Sequence, residues 1–372
     1  MNKHLLHTPE GVRDIYGNEY ERKLQVEAVL GKVIDGFGYH AIQTPTFEYF
    51  DVFSKEIGTT PSKELYKFFD KEGNTLVLRP DFTPSIARCA AKYFMEENHP
   101  IRFSYIGNTF TNTSNLQGKL KEVTQLGAEL INDGSVYADA EMISMVIEAL
   151  KSVGLENFQV SMGQTEYFKG LCEEAGLDEE TEERLREYIS GKNFFAAKEL
   201  LKECDVKEPY AGILLKAADV FGNMSSLSDA RALVTNKRSL DAIEHLEQLY
   251  EVLKLYGAEK YVSFDLGMLG KYHYYTGIIF KVYTYGIGDA LVKGGRYDNL
   301  LKQFGKDAPA VGFMIVIDDL LEALSRQKVH IPICDTRQII TYTEDTYKEK
   351  LQMALELRKR GASVELVPVG LS

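Results

Sequence analysis

At 372 residues, with 44% hydrophobic and 26% charged residues, the chain has the composition of a soluble globular protein long enough for two or three domains. Its formal net charge of −12 speaks against a general nucleic-acid binder, which needs a basic surface. Cys89, Cys172, Cys204 and Cys334 form no C-x-x-C pair, the N-terminus lacks an apolar signal core, and no run of 18 apolar residues occurs, so neither a metal nor a membrane is expected and a reducing, cytoplasmic location is.

Apolar residues from Tyr20 through Leu24, Val33 and Phe37 recur at helical spacing and predict a helix over Glu19–Phe37. "GFGY" stops it, and "HAIQTPTFEYFDVF" continues extended, with Pro45 suited to a sheet edge or interface strand. "YKFFDKEGNTLVLRPDFTPSIAR" reads as strand, turn at Glu72–Asn74, strand, loop and helix, with Thr83 or Ser85 as cap. Tyr105–Glu129 reads as a hairpin whose polar loop carries no charge between Asn108 and Gln117. An amphipathic helix ending at Gly154 and a short strand, "NFQVSMG", come next.

From Tyr167 to Leu253 charged helical stretches dominate, which predicts a helical insertion. Strand character returns in "KYVSFDLGM", "YHYYTGIIFKVYTYG" and "ALVKGG", followed by an expected apolar helix from Val311 to Leu324. The tail reads as a separate β-α-β piece ending "ASVELVPV", with Gly361 just past its helix. Mainly antiparallel strands with packed helices give an α+β class. The expected organisation is a core over 1–325, interrupted by the insertion at 167–253, and a small α/β segment over 330–372.

Several residue groups carry possible chemistry. In "LRPDFTPSIAR", Asp81 and Thr83 can hold an ammonium group, or the stretch, with Arg79 and Arg88, is a helix start with an ion pair. Gln125 and Glu129 share one strand face, which is either solvent-facing or pocket-lining. Tyr272, Tyr274 and Tyr275 offer phenols for packing or for a ligand, and His273 between them has no neighbouring carboxylate. Gly294-Gly295 before Arg296 allows close backbone approach but is no phosphate-binding loop, and no dinucleotide, metalloprotease, hydrolase or kinase signature appears.

"TPEGVRD", "LRPDFTPSIAR", "YIGNTF…QLGAE", "YYTG" and "GGRYDNL…APAVGF" occur in an order that resembles the histidyl-tRNA synthetase catalytic core, a class II synthetase fold, across residues 8–325. The resemblance implies that Asp81, Thr83, Gln125, Glu129, Tyr274 and Tyr275 stand at histidine-binding positions, with Asp81 replacing a longer Glu. It also implies that the ATP contacts are gone. Thr111 and Thr113 stand where the synthetase has Arg and Glu, Gly270 replaces the arginine that acts on the α-phosphate, and Asp319 replaces the arginine at the γ-phosphate. Each such donor is worth about 3–4 kcal/mol of barrier in related chemistry.

The tail resembles only the first half of an anticodon-binding domain. A synthetase-like chain with an amino-acid pocket, no adenylation residues and a reduced tail is similar to the family of ATP phosphoribosyltransferase regulatory subunits. That resemblance implies no catalysis, no cofactor and no tRNA. It implies a homodimer, L-histidine as a ligand, and a hetero-oligomer, an octamer in that family, with a short catalytic subunit activated in the first step of histidine biosynthesis. A paralogue serving another complex and an active synthetase remain the alternatives.

Overall fold

The computed structural model describes residues 6–54, 60–113, 119–217, 219–270, 275–333 and 337–370. Helix α1 (Gly17–Gly36) turns Val26, Leu30 and Ile34 inward, as its spacing requires. The stretch expected to stay extended is broken into β1 (His40–Ala41), an irregular connection containing Pro45, β2 (Phe47–Tyr49) and a 3-10 turn at Phe50–Phe53. β3 (Lys67–Phe69) and β4 (Thr75–Leu78) flank the expected turn, where Gly73 has φ +86° and the Asp70 carboxylate accepts from the Asn74 backbone and side chain. β2, β4 and β3 form a small antiparallel sheet.

Helix α2 (Thr83–Tyr93) starts earlier than either a Thr83 or a Ser85 cap allows. Its cap position is Phe82, and the Thr83 backbone N–H is met by Asp81 Oδ1 at 3.3 Å. That leaves the Thr83 hydroxyl free to face the sheet. β5 (Ile101–Phe110) and β6 (Glu122–Ile131) form the expected hairpin over ten paired residues. Helix α3 (Val136–Ser152) is capped by Ser135 and covers the back of the sheet, and β7 (Phe158–Gln164) follows.

Between Thr165 and Leu255 the chain forms α4 (Thr165–Glu174), α5 (Glu179–Ser190), α6 (Phe194–Glu203), α7 (Tyr210–Ala217), the two-residue β8 (Phe221–Gly222), α8 (Met224–Ala232) and α9 (Lys237–Leu255). Asp178, Asn193, Asn223 and Asn236 cap four of these helices, so polar breaks in the sequence mark their starts. β9 (Val262–Asp265), β10 (Ile278–Thr284) and β11 (Val292–Arg296) return the chain to the sheet.

The helix expected over Val311–Leu324 is two elements, β12 (Ala310–Val316) and α10 (Ile317–Arg326). β12 lies between β6 and β11, with six of its seven residues buried. A strand covered on both faces shows no polar alternation, so "AVGFMIV" reads like part of a buried helix. The main sheet runs β1-β5-β6-β12-β11-β10-β7-β9-β8. It is mixed, since β1 lies parallel to β5 and β7 parallel to β9.

In the tail, β13 (Gln338–Tyr342) and β14 (Val364–Pro368) pair in parallel with α11 (Tyr347–Lys359) packed on them. Gly361 at φ +85° ends α11, with Ala362 N–H closing on the Leu357 carbonyl.

Candidate ligand pocket

β6 forms one wall of a cleft of about 2040 Å³. Strand alternation puts Gln125, Gly127 and Glu129 on one face, and Gln125 and Glu129 both line the cleft while being only 7% and 1% exposed. The sequence left open whether this face meets water or a pocket, and it meets a pocket. Glu129 Oε1 accepts from the Thr83 hydroxyl at 2.9 Å, and Oε2 accepts from the Tyr297 phenol at 2.5 Å. Glu129 is paired across the ladder with Gly312, where a Cβ would lie 1.6 Å from Oε2. Only glycine at 312 leaves room for this carboxyl.

Burial raises the Glu129 pKa to about 8, helped by the nearby Asp81 carboxylate and opposed by the hydroxyls of Tyr297 and Thr83. Burial likewise holds the Tyr105 and Tyr297 phenols well above their ordinary range, with Glu129 adding to both. Tyr105 stacks on Phe82 at 4.3 Å, so the loop before α2 and the β5–β6 hairpin are held together beneath the pocket. Gln125 Oε1 is buried and finds no hydrogen-bond partner among the described residues.

Asp81, Thr83 and Tyr275 line the same cleft. The Tyr275 ring rests over Gly295, where a Cβ would come within 2.6 Å of it, which explains the need for a glycine there. Tyr274 lies outside the described residues, as do Tyr272 and His273. The two arginines of the Asp81 loop do not serve the pocket. Arg79 donates to the carbonyls of Thr44 and Asn108 and lies 4.0 Å over the Phe82 ring, while Arg88 pairs with Glu48 at 2.7 Å. The loop is thus a braced helix start whose Asp81 and Thr83 line the cleft.

Thr111, Thr113, Gly270 and Asp319 line the cleft as well. Gly270 has φ +72°, a conformation that a side chain strains. The Asp319 carboxyl is raised by burial first, then by Asp289 and Asp318. Asp318 accepts from the Thr124 backbone N–H at 2.7 Å and lies 3.8 Å from the buried Lys23 ammonium. Asp318 and Asp319 thus stand in this part of the wall with Arg13, Lys23 and Lys293 beside them. Among the described residues no group of three or more His, Cys, Asp or Glu side chains is placed to hold a metal ion.

Two features escaped the sequence. Tyr297 lies in the quoted "GGRYDNL", but its bond to Glu129 spans 168 residues and no local pattern announces it. Behind it, Arg296 is 6% exposed and meets the fully buried Asp139 at 2.6 and 3.1 Å. His245 of α9 lies 3.0 Å from the other Asp139 oxygen, an ion-pair distance without the alignment of a hydrogen bond. The Arg296 carbonyl accepts from Thr276 N–H, and the Thr276 hydroxyl accepts from Asp298 N–H, so this buried pair braces the strand ends that carry Tyr275 and Tyr297.

The model of the histidyl-tRNA synthetase family matches residues 11–320. An ATP phosphoribosyltransferase regulatory subunit of Acetivibrio thermocellus is 42% identical over 368 residues, covering 98% of this chain and 88% of the relative. The crystal structure of an ATP phosphoribosyltransferase regulatory subunit/histidyl-tRNA synthetase from Bacillus halodurans superposes with a TM-score of 0.89 at 33% identity, covering 99% of this chain and 94% of the other. A histidyl-tRNA synthetase structure from Nostoc sp. PCC 7120, at 18% identity and a TM-score of 0.80, covers 97% of this chain and 85% of the other and shares the fold.

Proposed function

This chain belongs to the ATP phosphoribosyltransferase regulatory subunit family, with a histidyl-tRNA synthetase-like fold, and on that premise we propose that it activates a short catalytic phosphoribosyltransferase subunit and carries feedback by L-histidine. The observation that carries this reading is the acceptor-rich inner pocket. Glu129, the Asp81 carboxylate and Gln125 Oε1, which has no partner among the described residues, line one cleft, and a ligand bearing N–H donors or a positive charge suits this set of acceptors. An amino acid with an ammonium group and a ring nitrogen meets that description. The proposed histidine-binding residues described in the structure are Asp81, Thr83, Gln125, Glu129 and Tyr275, and the sixth candidate, Tyr274, lies outside the described residues.

The other part of the cleft supports a non-catalytic role. Activating an amino acid with ATP needs cations against the phosphates. Thr111, Thr113, Gly270 and Asp319 supply none at the positions the synthetase resemblance singles out, although Arg13, Lys119 and Lys293 line the same cleft. We assign residues 1–325 to the synthetase-like unit, interrupted by the helical insertion 167–253, and residues 330–372 to a separate small α/β segment.

Calorimetric titration with L-histidine and with ATP, beside a histidine-dependent pyrophosphate exchange assay, tests this division. The expected result is saturable histidine binding with neither ATP binding nor exchange. Exchange above background would make the chain a synthetase.

A further inference from the structure

Among the described residues Glu129 is a carboxyl group without a counter-ion. Thr83, from α2, and Tyr297, following β11, donate to its two oxygens. The next strongest influences on it are the Asp81 carboxylate and the Tyr105 phenol from β5, neither of them a cation. Tyr275 adds a phenol that acts on Tyr105. The carboxyl occupies the space left by the missing side chain of Gly312, so it is seated against the β12 backbone rather than turned to water. A fixed, 1% exposed carboxyl held only by neutral hydroxyls and facing another carboxylate keeps its proton at neutral pH. Its pKa of about 8 leaves roughly nine-tenths of the sites protonated at pH 7.

We propose that the pocket is neutral at Glu129 when empty and exchanges that proton for the positive charge of its ligand. As a cationic nitrogen enters, the Glu129 O–H bond breaks, the proton goes to solvent, and the carboxylate pairs with the ligand. Thr83 and Tyr297 already point their donors at the oxygens that become negative, so the ionised form needs no rearrangement. The inference rests on the ligand reading given above and adds its proton stoichiometry. It makes Glu129 a specificity determinant, because a ligand without positive charge cannot take the proton's place.

The experiment has two arms. Infrared spectra of the free protein at pH 7, compared with E129Q, look for a protonated carboxyl band that the substitution removes and that titrates away near pH 8. Calorimetry with L-histidine in two buffers of different ionisation enthalpy then counts protons released. The expected count is about 0.9 per histidine at pH 7, falling towards zero above pH 9 and abolished in E129Q. Tyr297→Phe, which removes a donor to the anion, shifts the band's titration to higher pH. A Glu129 band already absent at pH 5, a Y297F shift to lower pH, or histidine heat independent of buffer would overturn the proposal. Complete absence of histidine heat would instead overturn the ligand reading, and the infrared arm would still decide whether Glu129 is neutral.

Discussion

Glu129 sets a measurable link between the pocket and stability. Its folded pKa lies above its ordinary value of 4.5, so between about 4.5 and 8 the native state binds more protons than the unfolded state. Stability from this group is therefore greatest in acid and declines as pH rises through that window, at up to about 1.4 kcal/mol per pH unit. Urea unfolding at pH 5 and pH 8 should show a smaller loss for E129Q than for the parent chain. An equal loss in both would place Glu129 in the ordinary carboxylate range. At this scale the sequence was partly legible. Gln125 and Glu129 could be placed on one face because strand period is fixed. Tyr297 and the Asp139–Arg296 pair could not, because their partners lie more than 150 residues away.

Elements with local signals were the easiest to place. Ser135 caps α3, its hydroxyl accepting from Ala138 N–H at 3.3 Å, and S135A should cost about 1 kcal/mol in chemical denaturation. A cost near zero would mean that α3 is fixed by burial alone. Gly73, Gly154 and Gly361 all take positive φ, and the sequence marked each as a turn or helix end. Two elements misled. α2 begins at Thr83 because Asp81 meets the Thr83 N–H, so the hydroxyl expected to cap the helix serves Glu129 instead. β12 was hidden because a central strand buried on both faces loses the alternation by which strands are read.

The whole molecule presents a cleft on one side and an uncovered aromatic face on another. Phe47, Tyr49 and Phe68, which share one face of the small β2-β4-β3 sheet, are 52%, 58% and 36% exposed. Large aromatics grouped on one small sheet are costly to leave in water. We propose that this region, with α1, forms a homodimer contact. F47K/F68K should lower the light-scattering mass from dimer to monomer at micromolar concentration, and a monomeric parent chain would remove the proposal. The fold class was legible because ordered blocks span most of the chain, while the mixed sheet order was not, since the parallel pairs β1–β5 and β7–β9 join segments distant in sequence.

The most direct measurement mixes this chain with the short catalytic phosphoribosyltransferase from the same source and follows phosphoribosyl-ATP formation with and without L-histidine. The regulatory reading predicts strong activity only in the mixture, suppressed by histidine, with suppression weakened by D81A or Q125A. Two chains that neither associate nor change each other's activity would contradict it.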